Sequence, residues 1–235
     1  MFVLNEAPKK TKNKDYSNPT KWQLFWRIQR ESWRRMITPY LMYLFMSMLM
    51  LACQTFGPNW LHIVLGVLCI LGGAFFNGHL CFNYGKLHYG AYVAGCLHRR
   101  NAVFGIQSGG DHRPEREYRA WKGFYIGFLV GIPALILAIL AGFFPPDGSI
   151  GTVAYIAYAM FAGYAIIPIT WGGAVEGQGT NISPFWSILF LLLPILVSGV
   201  MYIVGAHVEE KSRAREAERL EQVASAGKKN KGKKK

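Results

Sequence analysis

Long apolar segments alternate with short polar segments along most of the chain. Five apolar segments come close to the ~20 residues that a helix needs to cross the hydrocarbon core of a bilayer. They cover residues 37–56, 60–84, 123–144, 150–170 and 184–206. This pattern predicts an all-α fold, a polytopic integral membrane helical bundle with about five spans.

Both ends of the chain are polar. We expect residues 1–20 of the basic N-terminal segment 1–36 to be disordered. In residues 21–36 aromatic side chains alternate with arginines at helical spacing, which is typical of an amphipathic helix lying in the membrane interface. Residues 207–235 predict a charged surface helix followed by a disordered, lysine-rich end from Lys228 onward.

The second apolar segment becomes polar without a break, and residues 86–122 form a polar connector. Since no proline precedes Pro114, we expect one long helix that leaves the membrane and ends in a loop over residues 97–111. Pro114 suits the first turn of a further helix, with Asp111 as its cap.

The charge distribution assigns a side to these segments. The chain has 26 Lys and Arg against 13 Asp and Glu, and its 17% of charged residues is below the ~25% of soluble domains. All basic residues lie in residues 1–36, 86–122 and 207–235. Because cytoplasmic segments are enriched in Lys and Arg, we expect the N-terminus and the connector to lie on the cytoplasmic side of the membrane. We expect this membrane to be the plasma membrane.

Hydropathy and charge disagree on the C-terminal tail. Five crossings from a cytoplasmic N-terminus put residues 207–235 outside, against the positive-inside rule. Four crossings plus a re-entrant segment would keep the tail inside. Six crossings would also do so, but they bury Lys86 and export the basic connector. We predict five spans from hydropathy, and four plus a re-entrant segment stays open as the alternative.

Polar residues at the end of the second apolar segment are candidates for a ligand site. Such residues are costly in a membrane helix unless they face protein, water or a ligand. At helical spacing these polar residues form two neighbouring faces of one helix. Glu176, an isolated acidic residue in a glycine-rich connection, is a further candidate. The predicted ligand-binding residues are Asn77, His79, Asn83, Lys86, His88 and Glu176. For the residues from Asn77 to His88, a polar interface that holds helices together is the favoured interpretation, and a ligand site is the alternative.

Metal binding and catalysis are not indicated. Cys81 and His88 are seven residues apart, or about 10 Å along a helix. One zinc ion with bonds of ~2 Å cannot bridge that distance. The sequence also has no Gly-x-Ser-x-Gly or His-Glu-x-x-His motif. We therefore expect no metal, no cofactor and no catalytic residue.

Two further sets of residues favour contacts with lipid and protein. Basic residues next to the spans are expected to contact lipid headgroups, namely Arg27, Arg34, Arg35, Arg99, Arg100 and Lys122. Gly123, Gly127 and Gly131 have the spacing at which small residues let helices pack closely.

These features favour a non-enzymatic accessory or organising subunit. We expect it to act through anionic membrane lipids and through a protein partner in a membrane complex, and not through nucleic acid. The alternative is a small-molecule carrier, or the membrane component of a transporter, with its site near residues 77–88.

Overall fold

The computed structural model describes residues 20–53, 59–104, 113–144, 148–171 and 184–232. Nearly all of these residues are helical, and none of them is in a strand. The five α-helices are α1 (Lys21–Cys53), α2 (Asn59–Val103), α3 (Trp121–Phe143), α4 (Ser149–Trp171) and α5 (Leu192–Gly232). Each contains a stretch long and apolar enough to cross a membrane. The prediction of an all-α membrane helical bundle is therefore confirmed, and the chain is an integral membrane protein.

Three helices extend further than the sequence pattern indicates. The interfacial helix and the first span form one helix, α1, of 33 residues. The loop expected over residues 97–111 is helical up to Val103, and α5 continues to Gly232, past the start of the expected disordered end. The extension of α2 contains Arg99, Arg100 and Ala102, and that of α5 contains three lysines; these residue types have high helix propensity.

The connector between α2 and α3 contains a short 3-10 helix, Pro114–Arg116. Pro114 occupies its first turn, but Arg113 precedes it without a side-chain cap, and Asp111 lies outside the described residues. The N–H of Tyr118 donates to the carbonyl of His88 at 3.0 Å. This bond fastens the connector to α2.

Helices α2 and α5 run parallel to each other. Gly78 lies against Met201, and Gly90 lies against Arg213, so the contact advances by twelve residues on both helices. Glycines permit the close approach, because a Cβ atom at Gly85 would overlap the carbonyl oxygen of a residue in α5.

The first and third helices run in the opposite direction. Gly73 of α2 lies against Tyr43 of α1, whereas contacts farther along α2 reach earlier residues of α1, which makes this pair antiparallel. Gly123 lies against Gly199 and Gly131 against Leu191, so α3 is antiparallel to α5.

Helix α4 runs in the same direction as α5. Tyr158 forms a hydrogen bond with Ser187, and Tyr164 packs on Tyr43 at a centroid distance of 4.7 Å. Asn77 contacts both Tyr43 and Ser198, so these two residues lie at the same level along the bundle axis. From Tyr158 to Tyr164 the chain therefore moves along the bundle axis in the same direction as it does from Ser187 to Ser198. Residues 172–183, between α4 and the 3-10 helix Pro184–Leu191 that precedes α5, lie outside the described part of the chain.

The five predicted helices are present, but they do not alternate in direction as five successive crossings require. One end of the bundle, here called the polar end, gathers all the described basic segments. It comprises residues 21–35, 86–103, 113–122 and 207–224. The contact between Gly90 and Arg213 places the tail beside the connector, which contradicts the arrangement that puts them on opposite sides.

Candidate functional site

Asn77 joins three helices in the middle of the bundle. Its side chain is fully buried, and its Nδ2 donates to Ser198 Oγ at 2.9 Å and to the Tyr43 hydroxyl at 3.5 Å. Its Oδ1 accepts from Ser198 Oγ at 3.2 Å and from Cys81 Sγ at 3.6 Å. The amide is thus satisfied by protein groups, as a polar helix interface requires.

A break in α4 lies beside this layer. Ala162 has non-helical backbone angles, φ −146° and ψ 37°. The N–H of Tyr164, which follows the break, donates to Ser47 Oγ at 3.2 Å. The Tyr164 hydroxyl is buried and has no hydrogen-bond partner among the described residues. Buried hydroxyls usually have a partner, so this group is the least satisfied of the layer.

His88 lies deeper in the polar end and is only 1% exposed. Its Nδ1 is 2.8 Å from the Tyr202 hydroxyl, and its Nε2 has no partner in the described part of the chain. The charges that act on the ring belong to Arg35, Lys122 and Arg116. A protonated imidazole would therefore be repelled, and we treat His88 as a neutral packing residue.

Lys122 does not fit the predicted contact with lipid headgroups. Its side chain is 2% exposed, and Nζ donates to the backbone carbonyls of Glu115 at 2.6 Å and Glu117 at 2.7 Å. The connector folds back over the start of α3 and covers the ammonium group. Lys122 therefore fastens the connector to α3, and its ammonium group is covered by protein in this structure.

Two of the predicted headgroup arginines are paired with acids. Arg35 lies 2.7 Å from Glu31, and Arg99 lies 2.5 Å from Glu117. The guanidinium of Arg35 also covers the ring of Tyr84 at 4.5 Å. Arg34 and Arg100 are exposed, whereas Arg27 is partly buried. Among these arginines, Arg34 and Arg100 present the most accessible charge for lipid phosphate.

The tail takes part in the same polar end. Burial raises the pKa of the Tyr118 phenol, and the carboxylate of Glu210 in α5 raises it further. The ring of Tyr118 stacks on Tyr202 at 5.4 Å. Farther along α5, Glu209 and Arg213 form an ion pair at 2.8 Å.

The predicted ligand-binding residues separate into two groups. Asn77 and His88 are buried between helices. His79 and Asn83 are exposed and lie 3.1 Å apart, and Lys86 is partly buried with its Nζ 4.6 Å from the Phe82 ring centroid. The remaining candidate, Glu176, lies outside the described residues.

An open apolar groove of about 710 Å³ lies between α2 and α5. Its walls include Leu71, Ala74 and Phe82 of α2 and Val200 and Met201 of α5. The sequence pattern did not indicate this groove, because the residues that line it are of the same apolar types as other residues of the spans. The small residues of α2 were the available indication, since they leave space beside a parallel neighbour.

Gly123, Gly127 and Gly131 all lie on the face of α3 that contacts α5 and the 3-10 helix Pro184–Leu191, which precedes α5. Among the described residues, no group of three His, Cys, Asp or Glu side chains is arranged to hold a metal ion. The chain matches no known protein family, and comparisons with curated proteins and with solved structures give no match.

Proposed function

We propose that the protein is a non-enzymatic membrane subunit that presents a basic surface to anionic lipid headgroups and thereby organises a partner at the membrane. The polar end faces the cytoplasm in this proposal, and the membrane is the plasma membrane. The parallel packing of α2 and α5 carries the proposal, because it brings the tail beside the connector.

The charge of the polar end supports lipid contact. All 26 basic residues of the chain lie in the three segments that contribute to this end. Exposed members are distributed over three helices, namely Arg30, Arg34, Arg100, Lys211, Arg215 and Arg219. Basic residues next to a membrane contribute about 1 kcal/mol each to binding anionic lipid. This placement also satisfies the positive-inside rule for every basic segment.

The proposal is tested by purifying the protein in mild detergent and offering it equal amounts of phosphatidylglycerol and phosphatidylcholine. Native mass spectrometry should show preferential retention of phosphatidylglycerol. A variant with Arg34, Arg100, Lys211 and Arg215 changed to Gln should lose most of that preference. Equal retention of both lipids by the unchanged protein would refute the lipid part of the proposal, and purification without a stoichiometric protein partner would refute the subunit part.

A small-molecule carrier is the second candidate, and the break in α4 favours it. Membrane carriers build binding sites from interrupted helices near the bilayer midplane. The Tyr164 hydroxyl, buried and unpartnered among the described residues, lies in such a place. A defined small molecule that copurifies with the protein and is lost in Tyr164→Phe would support a carrier. Absence of any such molecule would favour the first proposal.

A further inference from the structure

We propose that the groove between α2 and α5 binds one anionic phospholipid, with an acyl chain in the groove and the phosphate at Lys86. This inference rests on the proposed function and names a specific lipid position for it. The exposed basic residues of the polar end form a scattered charged surface, whereas this site is a groove with apolar walls and an open end at Lys86.

The groove has the length of one lipid leaflet. Its α2 wall extends from Leu71 to Phe82, and eleven helical steps of 1.5 Å give about 16 Å. One leaflet accounts for half of the ~30 Å hydrocarbon core. The lining is apolar except for His79, and the groove lies along helix segments that are long and apolar enough to span a membrane. An acyl chain therefore matches the groove in length and polarity.

A cation lies at the end of the groove that is nearer the polar end. Lys86 Nζ is 4.6 Å from the ring centroid of Phe82, which itself forms part of the wall. Lys86 is one helical turn beyond Phe82 in the direction of the connector. A phosphate at this mouth would be paired with the ammonium while the acyl chain stays in the groove. Zwitterionic lipid also carries a phosphate, but its added cation weakens the net attraction.

Hydrogen-bond donors stand beside the same mouth. His79 lines the groove, and its ring is 3.1 Å from the amide of Asn83. Both side chains are exposed. They are able to donate to glycerol or phosphate oxygens without losing a buried partner. A transmembrane helix of a partner protein is the competing occupant, but it would cover Lys86 and extend beyond the groove.

Native mass spectrometry with mixed phosphatidylglycerol and phosphatidylcholine tests this site. The unchanged protein should retain one phosphatidylglycerol. Lys86→Gln should reduce its preference for phosphatidylglycerol by about fivefold, in line with one basic residue near a membrane surface. Ala74→Phe should fill the groove and expel both lipids. Inorganic phosphate, offered alone, should not bind, because it has no acyl chain.

Matched variants keep the outcome interpretable. Ile136→Phe adds a ring on the exposed face of α3, and Ser212→Ala changes an exposed, uncharged side chain of the tail. Both should retain the lipid. Val200→Trp fills the groove from its α5 wall and repeats the test if Ala74→Phe does not fold.

Three results would overturn the site. These are lipid retention by both groove-filling variants, competition of free phosphate with lipid, and crosslinking of the groove to a partner helix. Loss of lipid preference in the variant lacking four exposed charges, with no effect of the groove and Lys86 variants, would reject this site and leave the proposed function intact.

Discussion

The Nδ1 atom of His88 lies 2.8 Å from the hydroxyl of Tyr202, and this hydrogen bond links α2 to α5 where both side chains are buried. The two helices are parallel and far apart in sequence. Their contact determines the position of the charged tail, because Arg213 follows Tyr202 by three helical turns and reaches Gly90.

Removal of the Tyr202 hydroxyl should weaken the fold. In Tyr202→Phe the ring of His88 loses its partner while it remains buried, and an unsatisfied buried polar group costs about 1–3 kcal/mol. We expect a lower free energy of unfolding and a lower Tm in one detergent. Tyr92→Phe is the control, since Tyr92 is exposed and its change should stay within about 0.5 kcal/mol. Equal Tm values for the two variants would contradict this prediction.

Lys122→Met should lower stability without changing lipid binding. The substitution deletes the ammonium that donates to the carbonyls of Glu115 and Glu117, at a cost of about 1–3 kcal/mol. Thermal unfolding measures the first effect, and retention of phosphatidylglycerol measures the second. Lys211→Met, on the exposed tail, should leave Tm unchanged. A loss of lipid preference at unchanged Tm would restore Lys122 as a headgroup contact.

The three glycines of α3 should respond differently to alanine. A Cβ atom at Gly127 would lie 2.5 Å from the Pro194 carbonyl oxygen, whereas one at Gly131 would lie 3.7 Å from its nearest neighbour. Gly127→Ala should therefore destabilise by about 1–3 kcal/mol through overpacking. Gly131→Ala should be neutral or stabilising, because alanine has the higher helix propensity. Similar Tm changes in both variants would show that α3 does not approach α5 more closely at Gly127 than at Gly131.

The connector and the tail should be accessible from the same side of the membrane. In a protein whose four cysteines are replaced, Arg100→Cys and Ser212→Cys should both react with an impermeant maleimide in opened cells and not in intact cells. Ser149→Cys, at the start of α4, should show the opposite accessibility. Labelling of positions 100 and 212 from opposite sides would support five alternating crossings and refute the parallel packing.

Much of the candidate site could be expected from residue type, but its division into two groups could not. A polar side chain at the end of an apolar helix has to face protein, water or lipid, and the sequence alone does not choose among these. Asn77 faces Ser198, which is 121 residues away, and His79, only two residues later, faces outward. The partners of Lys122, two backbone carbonyls of the connector, could not be predicted from the sequence for the same reason.

The sequence by itself predicted five apolar segments long enough to cross a membrane and located the segments that carry the charge. Both follow from local properties, since an apolar stretch of sufficient length is helical in a bilayer wherever it lies in the fold. Only the tertiary structure decided the direction of α5 relative to α2, the groove between them and the burial of Lys122. These depend on which glycine of one helix meets which backbone of another, a long-range contact that hydropathy and charge do not encode.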